Sequence, residues 1–146
     1  MAEFVARDKA FESRVRASFA LQSLMTTIGA RMTKVLPGEI EIELPFRSDL
    51  CQQNGYLHAG IATAIVDTAC GYAALSLTAS GMEVLTVEYK ANFVSPAAGD
   101  RFVARARVKR AGRTLTVCDG DVLAVKDGEE TLVATMLATM MVLSAD

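Results

Sequence analysis

From Ala59 to Met82 the chain carries one charge, Asp67, in a run otherwise made of apolar and small residues. A stretch that long and that apolar must either cross a bilayer or be covered by protein on every side. The run is rich in Ala, Gly, Ser and Thr, has no basic flanks, and holds its carboxylate mid-span, which costs about 3 kcal/mol on an insertion scale. It therefore reads as a buried helix, roughly His58 to Leu77, stopped by Ser80-Gly81. No membrane association is expected.

The segments on either side indicate what covers that helix. From Ala6 to about Met25, apolar residues recur as Ala10, Phe11, Val15, Phe19 and Leu24 with charges between them, the pattern of one amphipathic helix ending at Gly29. Pro37-Gly38 then marks a turn between two strands. The second, Glu39 to Leu44, alternates without a fault: Ile40, Ile42 and Leu44 to one side, three glutamates to the other. Downstream, Val84 to Val94, Arg101 to Lys109, Leu115 to Val125 and Leu132 to Leu143 read as strands. Their turn signals are Pro96, Gly99-Asp100, Ala111-Gly112-Arg113 and Asp127-Gly128. The Asp119-Gly120-Asp121 interruption reads as a bulge, and the almost wholly apolar last strand as one covered on both faces. Arg105, Arg107 and Lys109 make a solvated or weakly anion-facing strip. Met136, Met140 and Met141 read as core. Strands in hairpin succession rather than βαβ alternation predict an α+β fold, an antiparallel sheet wrapped around the long helix.

The 146 residues fit one domain, with about 1–25 as a helix packed on it. A net charge of −2 gives no reason to expect nucleic acid as a partner. The cysteines, Cys51, Cys70 and Cys118, are odd in number and without CxxC spacing, as expected of reduced thiols in a cytoplasmic protein. A catalytic cysteine would want a histidine, and His58 is the single one. The N-terminus lacks the continuous apolar core of a signal peptide.

Chemistry concentrates where the long helix begins. Small residues at Ala59 and Gly60 let a ligand approach the helix tip, where unpaired N–H groups and the helix dipole suit an oxyanion. Gln52 and Asn54, in the preceding loop, supply amides. Asp67 is a carboxylate on an apolar helix, costly there unless satisfied or used. It lies nine residues after His58, roughly 13 Å along the axis. If both act on one carbonyl, the second must come from another copy of the chain, which makes a homodimer with a shared site.

The segment Gln52, Gly55, His58-Ala59-Gly60 and Asp67 resembles the signature of hotdog-fold acyl-CoA thioesterases of the PaaI-like type, the group that includes 4-hydroxybenzoyl-CoA thioesterases. That signature is an amide residue, a Gly, His-Gly-Gly, and an acid nine residues after the His. The resemblance covers most of the chain from Phe19 onward and includes Thr86-Val87-Glu88, Asn92 to Ala97 and Arg110 to Thr114. It implies hydrolysis of acyl-CoA thioesters with small aromatic or short-to-medium acyl groups, with no cofactor beyond the CoA of the substrate. Asp67 would be nucleophile or general base. The Ala59 N–H would polarise the carbonyl, with Gly60 beside it. Gln52 or Asn54 would supply the active-site amide, Thr86 would help place a water, and His58 would orient. Phe93, Ser95, Arg110, Gly112, Arg113 and Thr114 would contact the CoA moiety. The resemblance also implies a dimer of dimers. Ala59 departs from the usual Gly, which matters little if only its N–H is used. Two other readings stay open: an acyl-thioester hydratase or dehydratase, and a non-catalytic acyl-CoA binder.

Overall fold

The computed structural model describes residues 3–145. Two short helices, α1 (Phe11–Ala20) and α2 (Ser23–Ile28), precede β1 (Arg31–Leu36) and β2 (Glu39–Pro45). A 3₁₀ turn, Ser48–Leu50, leads to the long helix α3 (Ala59–Leu75). Four strands follow: β3 (Met82–Phe93), β4 (Arg101–Ala111), β5 (Leu115–Lys126) and β6 (Glu129–Ser144). They form one six-stranded sheet in the order β1-β2-β4-β5-β6-β3, antiparallel at every pairing.

The sheet curls around α3 because each strand turns its alternate apolar residues inward. Ile40, Ile42 and Leu44 of β2 are buried, as are Phe102, Ala104, Ala106 and Val108 of β4. They meet Ala62, Ile65, Val66, Ala69, Cys70 and Ala73 of α3. Small residues on the helix let the sheet come close. Gly120 is the tightest point: a Cβ there would lie 2.6 Å from Val66 Cγ2 and 3.1 Å from Cys70 Sγ. Val66 is buried and β-branched, so it cannot step aside. Gly120→Ala is accordingly expected to destabilise the protein by about 1–3 kcal/mol, read as a lower urea midpoint at unchanged slope.

Gly120 also corrects the expected bulge at Asp119-Gly120-Asp121. Register is regular there, with Asp119 opposite Arg107 and Asp121 opposite Arg105. The glycine interrupts the apolar pattern because the helix leaves no room for a side chain, not because a residue is inserted. The register shifts lie elsewhere, between Thr86 and Glu88, Val108 and Arg110, and Val122 and Leu123.

Three further expectations change. The single N-terminal helix is two helices, broken at Leu21-Gln22. Val15 belongs to one apolar phase, Met25 and Ile28 to another, and the break lets all three be buried while Leu21 stays 85% exposed. Gly29, at φ 80°, closes α2 in the left-handed conformation. The last strand is covered on one face only: Met136, Ala138 and Met140 are buried, whereas Leu137 and Met141 point outward. Met141 is therefore not core. Finally, Arg105 forks onto Glu130 at 2.8 and 2.7 Å and also binds Glu41, while Arg107 and Lys109 pair with Asp119. That basic strip is neutralised by its neighbours and is not an anion track.

β3 is an edge strand bonded only to β6. Leu85, Val87, Tyr89 and Phe93 along it are exposed. Among the described residues no helix is long and apolar enough to cross a membrane.

Candidate active site

The start of α3 is capped from within. The His58 backbone is extended (φ −60°, ψ 134°), and its Nδ1 accepts the Gly60 N–H at 2.8 Å. The His58 carbonyl accepts the N–H groups of Ile61 and Ala62. Of the first-turn donors, the Ala59 N–H is then the one with no acceptor among the described residues. His58 is therefore a capping residue that occupies the Gly60 donor, and the open donor at this positive helix end is Ala59.

Gln52 and Ala59 line one cavity of about 270 Å³, together with Phe93, Ser95 and Pro96. The Gln52 side-chain oxygen accepts the Asn54 N–H, and Gln52 reaches the cavity. The loop is held by Gly55, at φ 83°, a conformation disfavoured for residues with a Cβ. Of the two amide residues, Gln52 lines this cavity and Asn54 does not.

Asp67 lies on a different part of the surface. It lines a cleft of about 590 Å³ with Ala64, Thr68, Gly71, Tyr72 and Thr86. Thr86 Oγ1 donates to Asp67 Oδ1 at 2.8 Å. The register shift just after Thr86 marks where the edge strand departs from regular pairing. Burial raises the Asp67 pKa above the ordinary carboxylate value, and the Thr86 hydrogen bond opposes part of that rise. The result is a half-buried carboxylate with one oxygen held by a hydroxyl, facing a cleft.

No residue lines both cavities. Ala59 and Asp67 are eight residues apart on a straight run of α3, about 12 Å. Within one protomer the donor and the carboxylate do not meet, as the spacing predicted.

The residues expected to contact CoA divide into two groups. Phe93 and Ser95 join Ala59 and Gln52. Arg110, next to the last residue of β4, is exposed, while Gly112 and Arg113 line a cleft beside the C-terminal end of α3 with Ala74, Leu77 and Thr78. The Thr114 carbonyl accepts from Val142 N–H at 2.7 Å. The hairpin row Ala111, Thr116, Met140, Thr86 runs to the Asp67 side of the sheet. Cys70 and Cys118 are fully buried, and burial raises both thiols, Cys118 up to about 12, which makes neither a ready nucleophile.

Sequence reasoning missed Ser18 and Gln22, which line the Asp67 cleft from the N-terminal helices, and Gly71 on α3. The first two pass for the polar face of an amphipathic helix. A glycine in a helix interior was a visible signal for the third.

The thioesterase superfamily model matches residues 54–131. A thioesterase family protein from Silicibacter pomeroyi has a crystal structure that superposes with a TM-score of 0.91 at 50% identity, covering 92% of this chain and 99% of that one. A Staphylococcus aureus thioesterase aligns at 26% identity and TM-score 0.76, over 83% of this chain and 98% of that one. Two crystal structures of that protein carry alanine at a glutamine and at a glutamate fifteen residues further on. The Escherichia coli PaaI protein of the phenylacetic acid degradation operon shares the fold, with a TM-score of 0.82 at 19% identity, over 92% and 94% of the two chains. A six-stranded antiparallel sheet wrapped on one long helix, matched by the family model over more than half its length, makes this chain a member of the thioesterase superfamily and a hydrolytic enzyme of the hotdog fold, PaaI-like in architecture.

Proposed function

We propose that the protein hydrolyses acyl-CoA thioesters, with small aromatic or short-to-medium acyl groups, at a site shared between two protomers. Asp67 either accepts a proton from the water that attacks the carbonyl, or attacks it directly to form a mixed anhydride that water then hydrolyses to release the acid. The partner's helix tip holds the oxyanion on the backbone N–H of its Ala59, and the CoA thiolate leaves. A thioester carbonyl is activated and its leaving group is stable, so one carboxylate and one preorganised donor suffice without a Ser-His-Asp triad.

The observation that carries this reading is the pairing of Asp67 with Thr86 in an open cleft, on an otherwise uncharged helix whose tip offers one unpaired donor. Fifteen residues separate Gln52 from Asp67, the same interval as between the two positions replaced in the Staphylococcus aureus enzyme. The proposed roles of Thr86, to hold the carboxylate, and of Gln52, beside the oxyanion donor, are supported by their neighbours. The exposed β3 edge supports the dimer. A two-fold axis beside it sets the two α3 helices antiparallel, so that the start of one passes the middle of the other. Arg110 and Arg113 supply cations for CoA phosphates on the hairpin, and a dimer of dimers would cover the outward apolar row of Leu115, Met141 and Leu85. The expected compartment is the cytoplasm.

Thiol release measured across acyl-CoA esters of graded length and aromatic type tests the proposal. Turnover above background on at least one class is expected. Saturable binding without thiol release would favour the binder, and water addition to a crotonyl-type ester the hydratase. Either result overturns the assignment.

A further inference from the structure

The Asp67 cleft runs along α3 toward the N-terminal helices, and its composition changes on the way. One turn past Asp67 stands Gly71, about 6 Å along the axis. A glycine inside a helix costs about 1 kcal/mol relative to alanine. At Gly120 a crowded neighbour accounts for the missing side chain. At Gly71 a Cβ would meet nothing within 4 Å, and its φ is not in the left-handed range. Within one protomer neither packing nor backbone geometry requires the glycine, and the space it leaves belongs to the cleft.

Beyond Gly71 the wall turns polar. The Tyr72 hydroxyl is 3.1 Å from Ser18 Oγ and accepts from Gln22 Nε2 at 3.1 Å. Phe19 packs edge-on against the Tyr72 ring, with centroids 6.0 Å apart. The Tyr72 backbone lies about 7.5 Å along the helix from Asp67. The Gln22 side-chain oxygen has no partner among the described residues, and it is not sealed from solvent. It is an acceptor standing ready in the same cleft.

We propose that Gly71 and the Gln22–Ser18–Tyr72 cluster set acyl selectivity: Gly71 leaves room for the acyl group along α3, and the cluster hydrogen-bonds a hydroxyl at its far end. The substrate is then an acyl-CoA about six carbons long whose ω-end carries a hydrogen-bonding group. The inference rests on the thioesterase reading of the same cleft.

The test compares kcat/KM for acetyl-, hexanoyl- and 6-hydroxyhexanoyl-CoA in the wild type, Gly71→Leu, Gly71→Ala and Gln22→Leu, with Tm as the folding control. The wild type is expected to favour 6-hydroxyhexanoyl over hexanoyl by about tenfold. Gly71→Leu should lower the hexanoyl-to-acetyl ratio by about tenfold, and Gly71→Ala should shift it less in the same direction. Gln22→Leu should erase the hydroxyl preference. Thiol release from none of the three esters by the wild type overturns the thioesterase reading and the proposal with it. Release without the hydroxyl preference, or an equal loss on all esters in the Gly71 variants, overturns the proposal alone.

Discussion

Turnover by the Asp67→Asn variant is expected to fall by about 10²–10⁴-fold, the usual contribution of a group that takes or gives a proton at the reacting centre. Asparagine keeps the oxygen that accepts from Thr86 Oγ1, so the strand-to-helix contact survives and the loss is chemical. Stability should move the other way. The Asp67 pKa is higher in the folded chain than in the unfolded one, because burial penalises the charge. The unfolded state therefore ionises first as pH rises, and stability is lost through the window above the ordinary aspartate value of 3.8. Removing the charge should raise Tm at pH 7, with the gain closing below about pH 4. The same shift makes the wild-type rate climb with pH to a midpoint above that of an ordinary carboxylate. Unchanged turnover in the asparagine variant would remove Asp67 from the mechanism.

Ala59→Pro is the second large effect, and it isolates a single backbone hydrogen. Proline at the first helical position keeps the helix, since that N–H has no intrahelical acceptor. The preceding residue must be extended, and His58 already is, at ψ 134°. The variant should fold and lose about 10²–10³-fold in kcat, the cost of one oxyanion donor. Mixing it with Asp67→Asn distinguishes a shared site from a self-contained one. In a mixed dimer one site takes Asp67 from the proline variant and Ala59 from the asparagine variant, and is whole. Statistical reassociation should then restore about a quarter of wild-type activity. No recovery after subunit exchange, verified by native mass spectrometry, would mean that each protomer works alone.

Much of this arrangement was legible in the chain. Ile40, Ile42 and Leu44 alternate with glutamates because β2 has one wet face, and they are buried as that pattern requires. The lone charge in the apolar run identified both the central helix and its carboxylate. The resemblance placed Thr86, whose contact with Asp67 local pattern could not reveal, since nineteen positions separate them. Three features were misread for stated reasons. Gly120 mimics a bulge because a tight helix contact and an inserted residue both break an apolar pattern. The outward side of β6 is apolar without a covering layer in the protomer, and composition does not say whether a cover comes from the same chain. The break at Leu21-Gln22 lies where two apolar phases join, with no proline or glycine to announce it.

The unpaired rim of β3 has a consequence for how this activity is switched. On the shared-site reading, a lone subunit holds two half-sets of catalytic groups that never converge, while its rim offers backbone groups to any passing strand. One association event both sheathes that sticky border and creates a competent centre. Dilution below the dissociation constant should therefore silence hydrolysis and bare that border together, linking edge protection and catalysis to a single contact.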